Sequence, residues 1–453
     1  MFRLQVQEVT ESSDLGKGLK YLKVDGVFSQ LMGVLISSSF ITPMLLLFGA
    51  NSFYVGIYST IVALSTFSQL LSIFIVNKVN GRKSVSIAFS LFARFILLLL
   101  AIHLMLNMIS SLTHFLLFIL AFYFVSNISS GAFKYWMLDF VPRDIRGRYF
   151  ASRTRISLLI GSFVGLLAAL YVDFIAGNTI RAYEKIILAA SLFGLAGMYF
   201  LVKIPEPKFE KPEAISINSL KHVLRSNDLK RHFEAIFFVY LALNLSLPFF
   251  IYYMLVFLGF SISIVFILTI VGQLATVFFL PKWGFLIDKY GVKPVLKLTV
   301  RILVLVLLLW PFTTLPQKHA LSLFIVLIIY ILVGVALGGL NLSSSLIAYY
   351  LVRDKRDNFV LSLNDIFISL GTVIGSFLGA LISIPTSYME LSLTFNISLS
   401  TKIIIYIVDL QGLDFIFVLS SLLGIASLSL FTRYKVDNNI CLLYTSPSPR
   451  DRG

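Results

Sequence analysis

The sequence predicts an all-α polytopic membrane protein, with twelve transmembrane helices arranged as two pseudo-symmetric six-helix bundles. Three observations carry that expectation. Of the 453 residues, 58% are hydrophobic and only 13% charged, and mean hydropathy is +0.91; a soluble domain keeps about a quarter of its residues charged to wet its surface. Apolar runs long enough to cross a hydrocarbon core of ~30 Å recur along the whole chain. The two halves also align, ungapped, at one constant offset of 210 residues.

In chain order, residues 1–26 are polar and lack the apolar core of a cleavable leader, which makes them a cytoplasmic N-terminal segment. Spans are expected at about 27–49, 54–76, 84–106, 112–133, 156–176 and 183–202, together a first bundle over 27–202. A polar linker at 203–234 separates these from spans at about 235–258, 262–281, 294–313, 320–342, 360–384 and 412–432, a second bundle over 235–432. The tail is 433–453, and its final CLLYTSPSPRDRG, from Cys441, breaks so abruptly from what precedes it that 441–453 is read as a non-native end.

The net charge of +15 and the pI near 9.7 raise the question of nucleic acid. The distribution of the 37 Lys and Arg answers against it, because they concentrate before span 1, in alternate loops and in the central linker. That is the positive-inside pattern, and it places both termini in the cytoplasm of a multi-pass cell-membrane protein. The single cysteine, Cys441, permits no internal disulfide and no thiolate metal cluster. No P-loop, HExxH or CxxC is present, so neither ATP-driven transport nor an enzyme is indicated, and no cofactor or metal is expected.

The offset alignment pairs Gly49 with Gly259, Gly81 and Lys83 with Gly291 and Lys293, and Gly161 and Gly165 with Gly371 and Gly375. In loop 4/5, PRDIRGRYFAS (142–152) lies over VRDKRDNFVLS (352–362), matching Arg143, Asp144 and Arg146 to Arg353, Asp354 and Arg356. Six spans per repeat is an even number, so both halves enter from the same side as parallel repeats. The glycine pairs four residues apart read first as close-packing devices between helices.

The stretch GFLIDKYGVKP, Gly284 to Pro294, resembles the G-x-x-x-D-[RK]-x-G-x-[RK] loop of the major facilitator superfamily (MFS). The twelve spans, the six-plus-six repeat, the long linker and RGRYFASR (Arg146 to Arg153) are similar to that family over nearly the whole chain. The resemblance implies the MFS fold and secondary transport by alternating access. In the loop, Gly284 is expected to admit a close helix approach, Asp288 to face a neighbouring helix N-terminus and Gly291 to form a tight turn, with Lys289 and Lys293 obeying the orientation rule. The first half departs from the motif, since FIVNKVNGRK has Phe74 for the first glycine and Lys78 for the aspartate. A reversed pairing is therefore expected, Lys78 or Arg82 with Asp354 or Asp357. Span 5 also lacks the proline and closing glycines of the family's antiporter motif, which weakens a drug:proton efflux reading.

The resemblance further implies that spans 1, 4, 7 and 10 line a central cavity. Each carries a polar stripe: Gln30, Gly33 and Ser37; Asn127, Ser130 and Lys134; Tyr240, Asn244, Pro248 and Tyr252; Gly338, Asn341 and Ser345. Spacings of three and four set each stripe on one helix face, where either solute or interhelical hydrogen bonds satisfy it. Among charges within spans, Arg94 and Arg301 are expected in buried pairs or polar networks away from lipid, and Asp365 as a partner or proton carrier. Asp25, Asp139 and Asp173 are placed near span ends. The expected function is a secondary transporter, a functional monomer in the bilayer, moving a small organic solute or amphipathic compound, with coupling to a proton or another ion left open. The alternatives are a non-transporting receptor or scaffold and a lipid flippase on the same fold.

Overall fold

In a computed structural model of the chain, the described residues are 14–109, 111–142, 144–207, 227–314, 318–351, 358–398 and 402–431. The first half forms α1 (Asp14–Leu35), α2 (Ser38–Leu47), α3 (Ser52–Ser65), α4 (Gln69–Val79), α5 (Arg82–Met105), α6 (Leu112–Phe140), α7 (Arg146–Leu170) and α8 (Ile180–Val202). The second half forms α9 (Asn227–Ser246), α10 (Phe249–Val256), α11 (Ile262–Tyr290), α12 (Val292–Leu309), α13 (Ser322–Leu351), α14 (Asn358–Thr386) and α15 (Asp414–Leu430). Between α14 and α15 lie β1 (Glu390–Ser398) and β2 (Lys402–Gln411), an antiparallel hairpin that the all-helical expectation did not include.

Among the described residues, eleven stretches are long and apolar enough to cross a membrane, from Leu15–Leu47 to Leu363–Thr386. The twelfth, α15, has 17 residues; at 1.5 Å per residue it reaches about 26 Å, slightly less than the ~30 Å core. Its start is pinned instead, because Tyr253 donates its hydroxyl to Asp414 at 2.9 Å and the Gln411 amide donates to the same carboxylate at 3.1 Å. The first helix begins at Asp14, well before the expected start of span 1 at 27.

The chain folds as two compact units, residues 1–51, 61–213 and 261–266 in one and 52–60, 214–260 and 267–453 in the other. The first packs around Trp136, Leu22, Met137 and Leu201, all fully or almost fully buried. Its helix ends are set locally: the Ser111 hydroxyl accepts the His114 amide at the start of α6, and Arg146 donates to the Val141 and Leu138 carbonyls at its end. The second packs around Trp283, Leu296, Val300 and Phe431, with Phe250, Tyr253, Trp310 and Phe417 forming an aromatic cluster at ring separations of 4.6–5.8 Å.

Glycine sets the helix spacing in both units. A Cβ on Gly161 would meet Gln30 at 2.8 Å, and one on Gly165 would meet Val34 at 2.5 Å. At the repeat-related positions, a Cβ on Gly371 would lie 2.5 Å from the Phe237 carbonyl and one on Gly375 2.5 Å from that of Leu241. Thus α7 rests on α1 as α14 rests on α9, which is the packing role that the spacing predicts.

Gly284 departs from expectation. Among the described residues nothing lies within 4 Å of the Cβ position there, so it mediates no close approach between them. The neighbouring helix contact is made by Trp283 instead, whose indole donates to the Val335 carbonyl at 2.8 Å. Asp288 is exposed, whereas Gly291 has the left-handed φ of +88° that the tight turn requires. In the first repeat the left-handed residue is Asn80, not Gly81.

Candidate polar sites in the two repeats

The first span of each repeat is broken. α1 stops at Leu35 and α2 resumes at Ser38; α9 stops at Ser246 and α10 resumes at Phe249. With the 210-residue offset, Ser37 falls on Leu247, so the interruptions occupy equivalent places. Discontinuous helices at corresponding positions of a repeat free backbone groups within the apolar stretches, a feature that many transporter folds place at their binding sites. Sequence reading singled out Ser37 and Pro248 separately; the alignment of the two breaks was available in the offset but invisible without helix ends.

In the first unit, polar side chains gather near the α1/α2 break. The Tyr123 hydroxyl of α6 donates to the freed Ile36 carbonyl at 3.2 Å. One turn on, Asn127 accepts from Gln69 of α4 at 3.0 Å and donates to the Tyr123 carbonyl. Of the remaining stripe residues, Gln30 packs beneath Gly161, Ser130 is exposed and bonds its own helix, and Lys134 and Gly33 are exposed.

Below this lies a charge cluster that the sequence reading divided among separate places. Asp25 is 2% exposed inside α1, not at a span end. Arg153 of α7 approaches it at 3.5 Å and also donates to the Leu22 carbonyl at 3.0 Å, while Ser29 lies 3.5 Å from the same carboxylate. Arg94 of α5, also buried, is within electrostatic reach of Asp25 and packs against Gly194, and its Nε has no hydrogen-bond partner among the described residues. The buried partner expected for Arg94 is therefore Asp25. Repeat-related positions in the second unit are apolar, Ala235, Val304 and Leu363, so the cluster belongs to one repeat alone.

Arg301 does not share that role. It is exposed on α12, which corrects the expectation of a buried pair; its long apolar stem lets the charged head leave the hydrocarbon layer. The loop cations divide similarly. Arg82 pairs with Asp139 of α6, and Lys78 is exposed. Asp354 and Asp357, their expected partners, and Arg143, Arg353 and Arg356 lie outside the described residues. Lys289 sits over the rings of Phe285 and Tyr290, and Lys293 is partly buried near Asp228.

The second unit holds a neutral counterpart. Tyr240 donates to Asn341 of α13 at 3.1 Å, and Asn244 donates to Thr372 of α14 at 3.3 Å and to the Tyr240 carbonyl at 2.8 Å. Tyr240 occupies the position related to Gln30, and each lies under the corresponding glycine of its repeat. Asp365 is exposed on α14 within electrostatic reach of Tyr240. A buried His232–Asn364 bond of 3.1 Å, continued by Asn364 to the Ser344 carbonyl, lies nearer the α9 N-terminus. Two predicted stripes therefore meet here, Tyr240 and Asn244 with Asn341. Ser345 is exposed on its own helix, and Tyr252 bonds the Ser52 backbone. Neither His232 nor Thr372 was singled out from the sequence, because lone polar residues in apolar runs carry no periodic signal.

At the far end of α7, six residues, Tyr171–Ala176, widen into a π-helical turn. Its Asp173 accepts the backbone amides of Ile262 at 3.2 Å and Ser263 at 2.6 Å, capping the first turn of α11.

Known proteins extend these observations. No curated protein matches the sequence. The structure of nucleoside transporter NupG is similar with a TM-score of 0.65 and 14% identity, covering 92% of this chain and 100% of that one. A bacterial homologue of the iron transporter ferroportin, in an inward-facing state, is similar with a TM-score of 0.63 and 13% identity over 92% of this chain and 98% of that one. The xylose transporter XylE from E. coli gives a TM-score of 0.60 and 12% identity over 93% and 99%. The family model of the Major Facilitator Superfamily matches residues 233–434. With that match across the second repeat and the shared fold across the rest, this multi-pass membrane protein has the fold of the major facilitator superfamily transporters.

Proposed function

We propose that the protein is a secondary transporter that moves a small, uncharged, hydrogen-bonding organic solute across the cell membrane by alternating access. The bundles over 27–202 and 235–432 act as the two moving halves, and both termini face the cytoplasm. The observation that carries this reading is the helix break repeated at Ser37 and Leu247, with polar side chains gathered beside each. Neutral donors and acceptors dominate both places: Tyr123, Asn127 and Gln69 in one, Tyr240, Asn341, Asn244 and Thr372 in the other. Such groups orient a solute without requiring a counter-charge. NupG and XylE, which share the fold, are a nucleoside and a xylose transporter, and solutes of that polarity suit the groups present. Coupling rests on a carboxylate within the spans, Asp25 with its arginines or Asp365 beside Tyr240, since an intramembrane ionisable group is the usual carrier of a coupling proton.

The test is flux in proteoliposomes against a panel of nucleosides, sugars and amphipathic compounds, with and without a pH gradient, for wild type, Asp25→Asn and Asp365→Asn. Saturable flux of a neutral polar solute supports the reading. Gradient-driven flux lost in one variant identifies the coupling residue, whereas flux indifferent to the gradient and to both variants means facilitated diffusion or another ion. No flux of any soluble compound overturns it, and scrambling of labelled lipid in the same vesicles would then favour a flippase.

A further inference from the structure

The hairpin between α14 and α15 is strongly two-faced. Its register pairs Leu391 with Leu410, Leu393 with Val408, Phe395 with Ile405 and Ile397 with Ile403. Alternate residues of a strand share a face and directly paired residues lie side by side, so these eight apolar residues occupy one face. The register shift after Leu393 is what keeps them together, because it passes over residue 407 on β2. The opposite face takes Glu390, Ser392, Thr394, Asn396 and Ser398, paired with Gln411, Asp409, Tyr406, Ile404 and Lys402. All three charged residues of the hairpin, Glu390, Lys402 and Asp409, fall on that second face.

A two-stranded sheet has no second layer of its own to cover an apolar face. What covers this one is indicated by the helix that leads into it. On α14, Ile374, Phe377, Leu381 and Ile384 form an exposed stripe at helical spacing, as on a span that faces acyl chains. The stripe continues past the helix end through Tyr388, Met389 and Leu391, which are 86%, 47% and 48% exposed, directly into the apolar face of β1. Both ends are tied close to spans: β1 starts four residues after Thr386 and β2 ends three before Asp414. The Gly412 amide donates to the Met389 carbonyl at 3.2 Å and closes the base.

We propose that the hairpin 390–411 is a membrane-interface anchor, lying at the boundary of headgroups and acyl chains with lipid on the face to which its register assigns the paired apolar positions. Beyond the base, where Asp409 is buried and accepts from Gln411 at 3.1 Å, the polar face meets water, and Tyr388 sits at the level where aromatic side chains settle in bilayers.

The test uses the full chain in phosphatidylcholine and phosphatidylglycerol vesicles, in a Cys441→Ser background. Nitroxide labels are placed on one face through Leu393→Cys, Ile397→Cys and Ile405→Cys, and on the other through Thr394→Cys, Asn396→Cys and Ile404→Cys. Collision with oxygen is compared with collision with a water-soluble nickel chelate. The first set should favour oxygen severalfold and the second the chelate. Chelate access to both sets would mean that the hairpin stands in water. Exclusion of both reagents from the first set would mean that protein covers the face. Either result overturns the proposal. Unsubstituted protein gives an independent reading: a photoactivated diazirine on a lipid chain should insert into the hairpin as it does into the α14 stripe. Labelling of that stripe with none over 390–411 equally overturns it.

Discussion

The Asp25 cluster gives a sharp prediction about stability. Its carboxylate is 2% exposed and its closest cation, Arg153, keeps a side chain 19% accessible, whereas Arg94 is almost fully enclosed. Among the described residues, Asp25→Ala removes the only acid interacting with Arg94 and strands a buried guanidinium whose Nε already lacks a partner there. Breaking a buried ion pair from one side costs about 3–5 kcal/mol, because the remaining charge is left unsolvated. For a unit of this size each kcal/mol moves the midpoint by roughly 2–4 °C, so thermal unfolding in detergent should fall by roughly 6–20 °C. Trp136, fully buried in the same unit, supplies a fluorescence signal. The triple variant Asp25→Leu, Arg94→Met, Arg153→Met, which removes every charge together, should return to within about 1 kcal/mol of wild type. The reasoning is refuted if Asp25→Ala shifts the midpoint by less than about 2 °C, or if the triple variant is no more stable than the single one.

Three further outcomes are expected. Gly334→Ala, whose Cβ would lie 2.0 Å from the Gly272 carbonyl, should cost about 1–3 kcal/mol by forcing two backbones apart, whereas Gly284→Ala, in open space, should stay within about 0.5 kcal/mol; equal midpoints for the two would contradict the packing described. Tyr240→Phe deletes the donor to Asn341, at about 1 kcal/mol in stability, and should raise KM for the solute more than it lowers kcat, as measured by initial flux. Asp173→Ala uncaps α11, at about 0.5–2 kcal/mol, and should speed hydrogen exchange at the Ile262 and Ser263 amides, while unchanged exchange there would rule out the cap.

Much of the scaffold was legible because lipid imposes a simple code. Long apolar runs located the spans, and the constant offset carried the repeat down to the glycines at 161, 165, 371 and 375, whose close contacts recur in both units. What escaped was whatever depends on three dimensions at once. Asp25, Arg94 and Arg153 lie on three helices far apart in sequence, and no periodicity links them. Gly284 sat in a recognisable loop motif, yet the contact fell to Trp283 beside it. The hairpin at 390–411 was hidden because a window tuned to helical spans averages away an alternation of two residues. Tyr240, Asn244 and Asn341 were found because helical spacing set them on inward stripes; His232 and Thr372, single polar residues among apolar neighbours, had no such mark.

The duplicated helix breaks are secured by different chemistry. Pro248 has no amide hydrogen and its ring crowds the carbonyl four residues back, so the joint between α9 and α10 lacks one helical bond that the chain has no means to supply. Ser37 has both backbone groups, and its amide already bonds the Val34 carbonyl at 3.1 Å. The second repeat therefore holds its joint by a residue with no amide to donate, while the first holds it by a residue that keeps both backbone groups. Two joints at equivalent places thus rest on different backbone chemistry, one short of a donor and the other complete.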